Sequence, residues 1–174
     1  MSAAFFTASV VLWAAALLIG AIDGLYFHLW KFRLYAQPEA RLEHVAHAMR
    51  ALLVVPTLWV AFFGPVRARV AVLIGLIAAD LVVAIWDVYL ERKSRRSIGG
   101  MPHFEYFVHV AVTTLHSAAE TVTLIGLLVT GLRATRGWIS NVVLVGMLGV
   151  AVLACATHFV LLLPRFSTSG PRIG

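Results

Sequence analysis

The chain is short of the residues that keep a protein surface in water. Only 13% of its 174 residues are charged, 61% are hydrophobic, and the mean hydropathy is +0.91. A soluble domain carries about 25% charged residues, so this composition points to a membrane-embedded chain. Cysteine is nearly absent too. The single Cys155 lies in an apolar run, which excludes an intrachain disulfide and a cysteine-pair zinc site and leaves a small packing residue. There is no phosphate-cradling glycine loop and no dinucleotide fingerprint, and Ser94 and Ser97 have no positioned base beside them. No low-complexity linker divides residues 1–174, so one domain is expected. The net charge of +6 does not indicate nucleic acid, because the basic residues punctuate apolar runs and form no aromatic-interleaved face.

Five apolar runs are present, at about 3–29, 42–63, 66–90, 104–132 and 138–163. Each is near or above the ~20 residues that cross hydrocarbon. Open strands cannot satisfy their backbone groups in lipid, so the expected fold is all-α, a polytopic bundle of five transmembrane helices. The first run has no Lys or Arg ahead of it and is read as a retained span, not a cleaved signal. Gly64-Pro65, the stretch Gly99-Gly100-Met101-Pro102 and Pro164 supply breaks. Pro56 is expected to kink span two or open its hydrogen-bond ladder, and Ala16, Gly20 and Gly24 form a small-xxx-small ridge for close helix packing.

Basic residues set the expected orientation. Lys31, Arg33, Arg41, Arg92, Lys93, Arg95, Arg96, Arg165 and Arg172 fall on one side, while Arg67, Arg69, Arg133 and Arg136 fall on the other. The positive-inside rule places the richer side in the cytoplasm and the N-terminus outside, as in a bacterial inner membrane. On this reading the Arg92–Arg96 cluster serves topology.

The acidic residues and histidines are not where solvation would put them. Of eight acidic residues only Glu39 is clearly in a loop, and all seven histidines lie in spans or at their ends. An ionisable group at the bilayer centre costs about 2.5–3.5 kcal/mol on insertion scales, so such a set needs partners or a function. At about 100° per residue Glu105, His109, His116 and Glu120 share an arc of about 60° on span four. Asp80, Asp87 and Glu91 make a similar stripe on span three, and Glu43, His47 and Arg50 share a face of span two. Polar stripes cannot face lipid, so they are expected to face one another. Counted inward from the basic side, Asp23, His47, Asp87, His109 and His158 reach similar depths, with Asp80 and His116 deeper and Glu120 deeper still.

Inward carboxylates and imidazoles from several bundle helices are the ligand types of di-iron and di-manganese centres, and they also suit zinc. The expected metal ligands are Glu43, His47, Asp87, Glu91, Glu105, His109, His116 and Glu120, with Asp23, His44, Arg50, Asp80 and His158 as an additional polar set. His47, Asp87, His109, His116 and Glu120 are expected to line one cavity. Arg50 reads as a counter-ion for Asp23, Asp87 or Glu105, and His28 and His103 read as edge residues without a special role. The i,i+4 spacing of the four ligand pairs differs from the Glu-x-x-His spacing of soluble di-iron bundles, so the analogy is one of ligand type. The expected function is metal-dependent oxidative or hydrolytic chemistry on a lipophilic substrate. The alternatives are a haem held by His47 with His109 or His158, a proton or cation relay, and a structural network.

Overall fold

A computed structural model describes residues 2–64, 68–96, 99–129 and 138–163. The expected breaks at Pro65 and Pro164, and Arg67, Ser97, Arg133, Arg136, Arg165 and Arg172, lie outside the described residues. The chain is a five-span all-α bundle: α1 (Ala3–Ala21), α2 (Arg41–Phe62), α3 (Arg69–Ser94), α4 (His103–Val129) and α5 (Trp138–Leu161). No strand occurs among the described residues. Every boundary falls within a few residues of the hydropathy run that produces it. α2 passes through Pro56 without interruption, tolerable where neighbouring helices and side chains re-satisfy the freed backbone groups.

One feature of the backbone has no counterpart in the hydropathy pattern. Span one continues beyond α1 as a π-helical segment, Ile22–Lys31, carrying Asp23 and His28. In an α-helix, residues five apart point about 140° away from each other. An i→i+5 ladder stacks them instead, and here both Asp23 and His28 are buried on the inner side.

The helices close a ring in the order α1, α5, α2, α3, α4, with α1 resting mainly on α4, and α2 on α3 and α5. The ridge of span one is used as expected. A Cβ on Gly20 would stand 3.3 Å from Val112 of α4, and one on Gly24 would stand 3.3 Å from His158 of α5. Polarity is distributed inside out. Trp30, Tyr89 and Leu153 are at least 69% exposed, whereas Asp87 and Glu105 are fully buried. A bundle bathed in acyl chains requires this arrangement, because exposed apolar side chains lose nothing there and exposed charges lose a great deal.

The interior has two halves. Trp13, Leu58, Phe62, Leu73, Leu127, Leu144 and Met147 pack together as an apolar core. The polar residues collect at the other end, where the π-helical segment, the starts of α2 and α4 and the end of α3 converge. Two connections close that end. Arg33, at φ 47°, turns the chain from the π-helical segment into two short 3₁₀ turns, and Gly99 and Gly100, at φ 84° and 106°, turn it into α4.

Candidate metal centre

Four elements each contribute an acid and a histidine, or two acids, to one buried group. The π-helical segment supplies Asp23 and His28, α2 supplies Glu43 and His47, α3 supplies Asp87 and Glu91, and α4 supplies Glu105 and His109. His47 Nε2 stands 3.5 Å from Asp87 Oδ2 and 3.7 Å from Glu43 Oε1. His109 bridges two helices, with Nδ1 3.2 Å from Asp23 Oδ2 and Nε2 2.7 Å from Glu91 Oε1. His28 Nε2 lies 3.7 Å from both Asp23 and Glu105, and its ring meets that of His47 edge-on at 4.1 Å.

Three triads within this group bring one ligand atom per residue within 4.8 Å of one another: His28, Glu43 and His47; Asp23, His28 and His109; and Asp87, Glu91 and His109. They share His28 and His109, so they form one continuous centre. Several of its ligand atoms are also unoccupied by hydrogen bonds. Both oxygens of Asp87, Asp23 Oδ1, Glu43 Oε1, Glu105 Oε2 and His47 Nε2 are buried and have no hydrogen-bond partner among the described residues. Buried polar atoms are normally paired, since each orphan costs about 1–3 kcal/mol.

Arg95, just beyond α3, folds back into the centre. Its Nη1 donates to Glu43 Oε2 at 2.8 Å and to Ser94 Oγ at 3.0 Å, its Nε donates to Glu105 Oε1 at 3.1 Å, and Nη2 lies 3.3 Å from His28 Nε2. Burial works against its charge, but the Glu43 and Glu105 carboxylates outweigh it and raise its pKa above the ordinary value. It contacts two of the centre's five carboxylates, and among the described residues no other guanidinium pairs with any of the five. With neutral imidazoles, five minus one leaves four negative charges.

A second cluster lies further inside. Arg50 Nε and Nη2 donate to the two oxygens of Asp80 at 3.3 and 3.4 Å. His116 Nε2 is 3.7 Å from Asp80 Oδ2 and 3.3 Å from Glu120 Oε1. These three acceptor and imidazole groups form their own triad, and the His116 ring packs at 5.0 Å on Trp13. Along α4, His116 is about 10 Å deeper than His109.

Several expectations change at this point. Arg50 pairs with Asp80, not with Asp23, Asp87 or Glu105, because Asp80 is the acid that faces it from the adjoining turn of α3. His28 is a central residue, brought in by the π-helical register, whereas His103 is exposed at the start of α4. Within the Arg92–Arg96 cluster Lys93 and Arg96 are exposed, but Arg95 is 2% exposed and belongs to the centre. His116 and Glu120 stand apart from the ring of triads. His47 and His116 do line a common cavity of about 360 Å³, together with Asp23, Arg50 and His158, but Asp87, His109 and Glu120 are not on its wall. His44 and His158 are a pair at the α2–α5 contact, with His44 Nε2 3.2 Å from the His158 carbonyl oxygen. Comparison with protein-family models, with curated proteins and with solved structures yields no match to this chain.

Proposed function

We propose that the protein is a membrane metalloenzyme whose centre, formed by Asp23, His28, Glu43, His47, Asp87, Glu91, Glu105 and His109, binds two divalent ions and acts on a lipophilic substrate. The observation that carries this reading is the charge imbalance of a largely buried group, several of whose ligand atoms lack hydrogen bonds. An ionisable group costs up to about 3 kcal/mol at the bilayer centre. Asp23 lies eight residues inside its span while Glu91 and Glu105 lie at span ends, so the five carboxylates together cost less than five times that figure. Arg95 offsets part of it. Two divalent cations would bring the remaining charge to zero and occupy the orphaned oxygens and nitrogens together.

Mixed imidazole and carboxylate ligands suit iron, manganese or zinc, which would supply either electron transfer or Lewis-acid polarisation for oxidative or hydrolytic chemistry. Arg95 would hold Glu43 and Glu105 in place, and the surrounding helices would exclude bulk water. The cavity touches this centre at Asp23 and His47, which gives a lipophilic molecule a route to it. A haem fits less well. The His47 and His158 rings are nearly parallel at 6.4 Å, but Asp87 and Glu43 flank His47 where a macrocycle needs apolar walls. The nine-to-four bias of basic residues supports placing the metal end at the cytoplasmic face of a bacterial-type inner membrane with the N-terminus outside.

Elemental analysis of detergent-purified protein, alongside an absorption spectrum, tests the proposal. The expected result is about two equivalents of iron, manganese or zinc per chain and no Soret band. A Soret band would establish the haem alternative, and folded protein without metal or haem would leave a relay or structural network.

A further inference from the structure

The cavity that meets the centre is open on one side, and its walls indicate what enters. We propose that it takes an acyl chain of a bilayer phospholipid sideways between α1 and α5 and presents chain methylenes, not the ester, to Asp23 and His47. As a statement about substrate class it rests on the metalloenzyme reading. As a binding site it rests on the cavity alone.

Three observations argue for it. First, α1 rests mainly on α4 and α5 mainly on α2, so the α1–α5 seam is one of the two thin walls of the ring, α3–α4 being the other, and it is the one that the cavity adjoins. Small residues make the room there, with Gly20 and Ala21 on one side and Ala151 and Ala154 on the other. Secondly, the rim faces the bilayer: Leu25 and Leu153 line the cavity and are 38% and 69% exposed on the outer surface of the bundle. Leu17, Val54, Val112, Val150 and Leu153 on the wall of this cavity of about 360 Å³ gain dispersion contacts from a methylene chain, and lipid offers such chains at high local concentration.

The third observation concerns depth and wall chemistry. Asp23 lies eight residues inside the Lys31 end of span one, and His47 nine residues inside the Pro38 end of span two. At roughly 1.5 Å per residue both are on the order of 10 Å below the interface, level with acyl methylenes. Asp23, His47, Arg50, His116, Thr157 and His158 form the polar part of the wall and aliphatic side chains most of the rest, with Trp13 the one aromatic carbocycle among the lining residues. Flat ring ligands favour aromatic stacking, whereas a flexible chain is matched by Ala, Leu and Val.

Trp13 is 1% exposed yet lines the cavity, which makes it a reporter. Replacing Trp30, Trp59, Trp86 and Trp138 by Phe leaves it as the only tryptophan. This variant is reconstituted in phosphatidylcholine vesicles with dibrominated acyl chains, a contact-range quencher, and compared with unbrominated vesicles. The expected result is quenching of Trp13 by at least half, reduced at least twofold by either Ala154→Phe or Ala51→Phe, which fill the cavity from α5 and α2. Leu128→Phe, on the lipid-facing surface away from the cavity, should change nothing. The two filling variants guard against one failing to fold, and circular dichroism identifies that case. Unquenched Trp13, or quenching indifferent to both fillings, overturns the proposal. Metal content measured on the same samples separates the two readings. Filling-sensitive quenching in metal-free protein upholds chain entry and removes the metalloenzyme, whereas metal-loaded protein with indifferent quenching removes chain entry alone.

Discussion

The two polar clusters use the same side-chain types but differ in how their charges close. The inner one sets Asp80 and Glu120 against Arg50, with one imidazole, His116, between the acids. The outer one sets five carboxylates against Arg95, and protonating all three of its histidines still leaves one negative charge. Membrane burial therefore imposes different requirements on the two. The inner cluster sets two acids against one guanidinium, while the outer one sets five against one and so carries the larger excess of negative charge. Residue type does not rank the two clusters as metal sites, and the proposal of metal in the outer one rests on its larger charge imbalance.

The largest effect expected from this comparison is on metal content. Asp87→Asn or His109→Ala should lower retained metal from about two ions per chain to one or fewer, because each removes a ligand shared with a neighbouring helix. Glu120→Gln should leave it unchanged. Elemental analysis of the three variants decides, and metal loss with Glu120→Gln would join the two clusters into one functional site.

Arg95→Met comes next. Removing one partner of a buried ion pair leaves uncompensated charge and costs about 3–5 kcal/mol. Thermal denaturation in detergent should show this loss, with Arg95→Lys recovering only part of it because an ammonium cannot reproduce the guanidinium fork that reaches both Glu43 and Glu105. Full stability in Arg95→Met would mean that the outer cluster is balanced without it.

A smaller effect is expected at the inner pair. Arg50→Gln and Asp80→Asn should each cost about 1–3 kcal/mol, and the double variant should cost less than the sum of the two. Additive losses in the cycle would show that the Arg50–Asp80 contact carries no coupling energy. The smallest effect is at His103, exposed at the start of α4. His103→Ala should change stability by less than about 0.5 kcal/mol and spare the metal, whereas His28→Ala should reduce the metal in the elemental analysis.

Much of this arrangement is legible in the residue order. Stripes on α3 and α4 recur at helical spacing, so Asp87, Glu91, Glu105 and His109 can be placed on inward faces by counting. Matching depths from the basic side likewise bring Asp23, His47, Asp87 and His109 to one level. His28 is missed because it sits at the edge of span one, where interfacial polar residues are common, and only the π-helical segment brings it to the buried side with Asp23. Arg95 is missed because it sits among surface bases, and neither composition nor spacing distinguishes the one that folds inward from Lys93 and Arg96.

The sequence by itself determined the solvent and the architecture. Apolar runs of span length force helices, because lipid offers the backbone no other partner, and charge within those runs must turn inward. Tertiary structure decided how the inward charge is divided. Whether Arg50 meets Asp80 or Asp87, whether His116 joins His109, and which base closes the outer cluster depend on helix rotation and on the path of one loop. These are matters of a few ångströms, and Coulomb and hydrogen-bond energies in a low-dielectric interior change steeply over that distance.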